Sequence, residues 1–118
     1  MQRILLKSKI HRAVITEGDL NYPGSITIDK GLMEKADIVE NEKVLVVNIN
    51  NGARFETYAI SDASVPGCIC LNGACARLGH PGDIVIIMSF SYCSEEEIKN
   101  FKSRIVLVDD KNQVTEIQ

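Results

Sequence analysis

Short apolar or alternating runs, separated by turn residues, fill most of the chain and predict a mainly β protein. Ile4 to Thr16 is rich in β-branched and apolar residues and reads as one long or bent strand. Gly18-Asp19 and Asn21-Tyr22-Pro23-Gly24 are turn-prone, after which Ser25-Ile26-Thr27-Ile28 resumes a strand with alternating faces. Asp29 predicts a helix cap, because its carboxylate can accept from the free backbone N–H groups of a short helix over Lys30 to Ala36. Lys43 to Asn48 and Arg54 to Ile60 read as strands joined through Asn50-Asn51-Gly52, residue types that tolerate the positive φ of a hairpin. Cys68 to Leu71 is a short apolar strand running into Asn72-Gly73-Ala74, a turn that opens a helical turn through Leu78. Pro81-Gly82-Asp83 precedes a buried strand over Ile84 to Phe90. Ser94 and Glu97 have the spacing of a capping box, which predicts a helix to about Lys102. Arg104 to Val108 and Val114 to Ile117 form a last strand pair around Asp109-Asp110-Lys111-Asn112. Many short strands and few helices suggest a closed β-barrel, which removes exposed edges.

Composition narrows the class. At 118 residues and 13.0 kDa the chain is expected to form one domain over residues 1–118, with no linker or repeat inside it. Apolar residues at 45 % and charged residues at 25 % exclude a disordered or collagen-like chain. The longest apolar run, Ile84 to Met88, is far short of the ~20 residues a membrane span needs. Met1-Gln2-Arg3-Ile4-Leu5-Leu6-Lys7 breaks its apolar run too early for a signal peptide, so a cytoplasmic place and no membrane partner are expected. Thirteen Lys and Arg against 16 Asp and Glu give a net charge of -3, a balance that disfavours nucleic acid. It leaves room for a local basic pocket. A ligand pocket takes roughly 300–1,000 Å³, which a chain this small builds more easily between subunits than in its own core.

Four cysteines, Cys68, Cys70, Cys75 and Cys93, are expected as reduced thiols. Cys68, Cys70 and Cys75 with His80 nearby invite a zinc reading, but no pair has the C-x2-C spacing of common structural zinc sites. In Cys68-Ile69-Cys70-Leu71 a free cysteine packs as a small hydrophobe, so no metal is expected and core packing is favoured. His80, before Pro81, reads as a surface loop residue.

The chemistry-bearing residues are plain when taken singly. A Gly-Ser pair is a common turn, Tyr58 a packed strand aromatic, and Lys9 and Arg54 solvated strand charges. Together they form a pattern: Lys9-Ile10-His11-Arg12, Tyr22-Pro23-Gly24-Ser25-Ile26-Thr27-Ile28-Asp29, Asn51 to Ile60, Leu71-Asn72-Gly73-Ala74-Cys75-Ala76 and Gly82 to Ile87. In this order and spacing the set closely resembles the pyruvoyl-dependent aspartate decarboxylase family, from Lys9 to about Phe90 and more weakly beyond.

The resemblance implies a small double-psi β-barrel, a homotetramer with sites between subunits, and β-alanine formation for pantothenate synthesis. It implies self-cleavage between Gly24 and Ser25 into a β chain of residues 1–24 and an α chain of residues 25–118, with a maturation factor as a possible partner. Ser25 then becomes a covalent pyruvoyl group that forms a Schiff base with L-aspartate, so the electron sink is built from the chain itself. Gly24 suits the step because it lacks a Cβ and leaves its carbonyl open to attack. Thr57 and the neighbourhood of Asn72 are the implied holders of the oxyanion, and Tyr58 is the implied proton donor. Arg54, whose planar fork binds carboxylate, and Lys9 are the implied cations for the substrate. Thr57, Gly73, Ala74 and Cys75 match substrate-binding positions, with Cys75 standing where the family usually has Ala. His11 and Tyr22 match residues that line the site.

Strand alternation puts Arg54, Glu56 and Tyr58 on one face and Thr57 on the other, with Arg54 and Tyr58 about 13 Å apart at ~3.3 Å per residue. One small amino acid does not span that distance on a flat strand, which favours a site shared between subunits. Two other readings stand beside the enzyme. Gly24 to Ile49 is also similar to swapped-hairpin DNA-binding barrels, which need basic faces that the acidic balance here argues against. A structural barrel without activity would show neither chain cleavage nor a carbonyl at residue 25.

Overall fold

A computed structural model describes residues 1–118 and is mainly β, with two short α-helices and one 3₁₀ turn. Nine strands are hydrogen-bonded in the order β2-β6-β3-β5-β4-β7-β1-β8-β9. They are β1 (Gln2–Val14), β2 (Glu17–Asp19), β3 (Ile26–Asp29), β4 (Lys43–Asn48), β5 (Arg54–Asp62), β6 (Ile69–Asn72), β7 (Ile84–Ser94), β8 (Arg104–Val108) and β9 (Val114–Ile117). Helices α1 (Lys30–Lys35) and α2 (Glu95–Ile98) follow β3 and β7.

The long strand β1 bends, as its pattern predicts. Its antiparallel register with β7 slips between Leu6 and Ser8 and again between Ile10 and Ala13, where Arg12 takes φ +67°. Such bulges increase local twist and turn a strand away from its first sheet. β1 therefore pairs with β7 on one side and runs parallel to β8 on the other. Inward positions of β1, β3, β4, β6 and β7 meet in one core, in which Ile10, Ile26, Val46, Ile69, Leu71 and Ile87 are fully buried. β3 sits inside this arrangement, parallel to β5 and antiparallel to β6. The residue before it, Ser25, is thereby fixed on both sides.

Three expectations are corrected. Gly18-Asp19 belongs to a strand and not to a turn, because Glu17 to Asp19 pair in parallel with Cys70 to Asn72 and occupy the free edge of β6. β7 runs past Phe90 to Ser94, since its partner β1 continues out to Gln2. The helix after Ser94 ends at Ile98, well before Lys102. Its capping box forms as expected, with Ser94 Oγ accepting from the Glu97 N–H at 3.2 Å, but Glu95, Glu96 and Glu97 are exposed and leave no apolar face to extend.

Asp29 does more than cap. One carboxylate oxygen accepts from the Gly31 N–H at 2.8 Å and the other from the Gly67 N–H at 2.7 Å, tying α1 to the loop before β6. Asp29→Ala leaves both donors without these partners and is expected to cost about 2 kcal/mol of stability, read from urea unfolding midpoints at constant m. A midpoint unchanged from the parent would contradict that role.

Candidate active site

The Gly24–Ser25 junction lies where β3 begins. Gly24 has φ +71° and Ser25 has φ +88°, and the Ser25 residue is only 1 % exposed. A left-handed φ is ordinary for glycine but costs a non-glycine residue of order 1–3 kcal/mol and persists only where its surroundings enforce it. Here they do. The Gly24 N–H turns back to donate to the Tyr22 carbonyl at 2.8 Å, and the Ser25 carbonyl accepts from the Asn72 N–H at 2.9 Å. Asn72 Nδ2 donates to Ser25 Oγ at 3.0 Å and to Thr27 Oγ1 at 2.8 Å. Tyr58 Oη donates to the Pro23 carbonyl at 3.3 Å. The Gly24–Ser25 junction is therefore tied by hydrogen bonds to Tyr22, Tyr58 and Asn72, with Ser25 held in a left-handed conformation.

Gly73 presses on the same junction. It has φ +65°, and a Cβ there would lie 2.6 Å from the Gly24 nitrogen, 2.7 Å from the Tyr22 carbonyl oxygen and 2.9 Å from Gly24 Cα. All three are backbone atoms, so only glycine fits. Ala74 beyond it is exposed, and Cys75 is half-buried against the core at the 3₁₀ turn over Gly73–Arg77.

β5 supplies the other wall. The parallel register that pairs Ile26 with Ala59, continued backwards, sets Tyr58 level with Ser25 and Thr57 level with Gly24. Arg54, Glu56 and Tyr58 share the exposed face of β5, and Thr57 is half-buried on the opposite one, as alternation predicts. Arg54 stands at the far end of the strand. Lys9 and His11 lie on β1, four places from β3 in the strand order. No hydrogen bond or ion pair links Lys9, His11 or Arg54 to the junction, and Lys9 and Arg54 enter none of the four ion pairs of the chain. The three principal cavities, of about 280, 370 and 380 Å³, are lined by none of the expected site residues. One chain gathers Tyr22, Gly24, Ser25, Tyr58, Asn72 and Gly73, and leaves the cations outside.

His11 Nδ1 is the one buried side-chain nitrogen or oxygen without a hydrogen-bond partner. Burial, then the charges of Lys9 and Arg12, hold its pKa below the ordinary imidazole value. A group whose folded pKa is depressed gives stability above its unfolded pKa of about 6.5, and that stability is lost as pH falls through the folded value. The melting temperature is thus expected to drop between pH 7.5 and pH 5.5, and His11→Gln to flatten that slope. An equal slope in both proteins would show that His11 is not its source.

Cys68, Cys70 and Cys93 are buried free thiols, in line with core packing, and His80 is exposed. No group of three or more His, Cys, Asp or Glu side chains is placed to hold a metal ion. No helix is long and apolar enough to cross a membrane. Two residues of the junction escaped sequence reading. Thr27 accepts from Asn72, and Cys70 Sγ donates to Asn72 Oδ1 at 3.2 Å. Thr27 was within reach, because it stands two residues from Ser25 on the same strand face. Cys70 depends on the pairing of β3 with β6, which no local pattern reveals.

The site is a buried serine at a left-handed φ that follows a glycine and is bonded through hydroxyl and carbonyl to Asn72, carried by a small, mainly β scaffold. Comparison with known proteins then fixes the family. The family model for aspartate decarboxylase matches residues 1–115. The aspartate 1-decarboxylase of Thermoanaerobacter pseudethanolicus is 59 % identical over 113 residues, covering 96 % of this chain and 97 % of its own length. That of Syntrophomonas wolfei is 55 % identical over 117 residues, 99 % of both chains, and that of Myxococcus xanthus 54 % over 114 residues, 97 % of this chain and 88 % of its own. The chain belongs to the aspartate decarboxylase family and is an enzyme of it. This match favours the enzyme over the DNA-binding barrel.

Proposed function

We propose that the chain converts L-aspartate to β-alanine and carbon dioxide, for pantothenate synthesis, with a pyruvoyl group that it makes from Ser25. The observation that carries the proposal is the junction itself: a buried serine at φ +88° behind a glycine at φ +71°, with Asn72 bonded to both the Ser25 hydroxyl and its carbonyl. Ser25 Oγ attacks the Gly24 carbonyl, the C–N bond breaks, and the freed nitrogen takes up the proton, which leaves an ester. Loss of the Ser25 α-proton expels the Gly24 carboxylate and leaves an enamine. Addition of one water and loss of ammonia convert that end to the pyruvoyl group. The products are residues 1–24 and residues 25–118 of what is one domain before cleavage.

Strain favours the first step, because the left-handed Ser25 can relax once its peptide bond is gone. Thr57, level with Gly24 in the strand register, is the residue assigned to the oxyanion. When formed, the pyruvoyl group supplies an electrophilic carbonyl for the substrate amine and a sink for the electrons released with carbon dioxide. Tyr58, whose Oη donates to the Pro23 carbonyl beside the junction, is the residue assigned to return a proton to the carbon that loses its carboxylate. Arg54 and Lys9, free of ion pairs, are the cations for the retained carboxylate. Gly73, Ala74 and Cys75 offer small residues, and with them backbone N–H groups, to the substrate.

Arg54 and Lys9 lie off the junction in one chain, which supports a site shared between subunits of a homotetramer of double-psi barrels. Tyr92, Ile4 and Phe90, which are 69 %, 61 % and 42 % exposed, offer apolar surface for such contacts. The free thiols suit a reducing cytoplasm. Purified enzyme given L-aspartate should release carbon dioxide and β-alanine in equal amounts. Borohydride added together with aspartate should stop the reaction and leave substrate attached to residue 25. Equal amounts of both products with no attachment at residue 25 would refute the pyruvoyl route.

A further inference from the structure

A buried thiol is bonded to the side chain that donates to Ser25. Two i, i+2 pairs face each other across the antiparallel ladder of β3 and β6: Ser25 with Thr27, and Cys70 with Asn72. The Asn72 side-chain amide bonds in both directions. Nδ2 donates to Ser25 Oγ at 3.0 Å and to Thr27 Oγ1 at 2.8 Å, and the one side-chain donor to Oδ1 is Cys70 Sγ at 3.2 Å. The alternative acceptor for that thiol, the Leu71 carbonyl, is 3.9 Å away. Burial, with smaller contributions from Glu17, Cys68 and Asp19, raises the Cys70 pKa to about 11, so the thiol keeps its proton and remains a donor at neutral pH.

The two faces of an amide are not equivalent here. As placed, the NH2 group faces both hydroxyls and the Ser25 oxygen accepts, which leaves its own proton free to depart and stabilises charge as it builds on Oγ. Turned over, Oδ1 would accept the Ser25 proton and hold it, while NH2 would face a sulfur that is a poor acceptor. The thiol is the group that separates these two orientations.

We propose that Cys70 is a positioning residue for self-cleavage, donating to Asn72 Oδ1 so that the amide donates to Ser25 Oγ. This rests on the self-cleavage reading above. It requires a donor at position 70, and not sulfur as such. Cys70→Ser is therefore expected to cleave within about threefold of the parent rate, whereas Cys70→Ala and Cys70→Val, one smaller and one larger than the thiol, are expected to cleave about tenfold more slowly. Their rates should also rise later with pH, because Ser25 then gives its proton to Oδ1.

The experiment follows chain cleavage by mass spectrometry in the full chain across pH, with each substitution repeated in a Ser25→Ala background to read folding by thermal melting. A folded Cys70→Ala or Cys70→Val chain that cleaves at the parent rate overturns the proposal, as does Cys70→Ser slowed as much as Cys70→Ala. Failure of both apolar variants to fold while Cys70→Ser folds and cleaves normally would make the hydrogen bond structural, against the proposal. A parent chain that never cleaves would instead refute the self-cleavage reading itself. The position of the Asn72 side-chain amide signals in the intact chain, with and without the thiol, then decides the orientation separately.

Discussion

Ser25→Ala is expected to leave the chain whole and without decarboxylase activity. Both losses follow from one oxygen. Without Oγ residue 25 has no nucleophile to take the Gly24 carbonyl from the peptide nitrogen, and no β-oxygen to leave so that Cα can become the carbonyl carbon of a pyruvoyl group. The fold should survive, because the serine lies outside the apolar cluster and its removal leaves only the Asn72 amide short of one acceptor. A loss of about 1–3 kcal/mol from that group is the expected cost. Cleavage is read by the mass of the chain and activity by release of carbon dioxide. Cleavage that persists in Ser25→Ala would remove the serine from the mechanism.

Gly73→Ala is expected to have the next largest effect, although the residue carries no reactive group. A methyl at this position would stand 2.6 Å from the Gly24 nitrogen and 2.7 Å from the Tyr22 carbonyl oxygen. Neither is the end of a flexible side chain, so the turn over residues 22–24 must move. The left-handed φ of +65° adds its own cost for alanine. The sum is a stability loss of about 2–4 kcal/mol together with cleavage slowed by about a hundredfold or more. A misplacement of the order of 1 Å is enough to take Ser25 Oγ out of line with the carbonyl. Sequence reading placed Gly73 among the substrate-binding residues, and the geometry gives it an earlier task in shaping the junction. Gly73→Ala that cleaves at the parent rate would remove this role.

Several elements are legible in the sequence because their signals are local. Asp29 before Lys30, and Ser94 three residues before Glu97, each set a cap with neighbouring backbone, and both form. The strands over Lys43–Asn48, Arg104–Val108 and Val114–Ile117 have the expected bounds, since each is an uninterrupted run between turn residues. β2 was not legible. Glu17-Gly18-Asp19 has no strand propensity, and only the open edge of β6 makes it one. At the site, Gly24 and Ser25 stood out through resemblance alone, because a Gly-Ser turn has no chemical signature of its own. The strain at Ser25, the contact of Gly73 with Gly24, and the Cys70–Asn72–Ser25 chain all depend on pairings between distant segments. Arg54 and Lys9 show the opposite limit: as residue types they read as solvated strand charges, the resemblance implied a carboxylate site, and one chain holds them apart from Ser25.

The central claim is that Ser25 becomes the reactive carbonyl of this enzyme. The most direct test is the mass of the purified parent chain, warmed alone and with cell extract until no further change occurs. Two fragments are predicted, residues 1–24 and residues 25–118, the larger lighter by one ammonia than the plain peptide because its first residue is a pyruvoyl group. A single intact chain under both conditions, or a larger fragment that still begins with serine, would contradict the account.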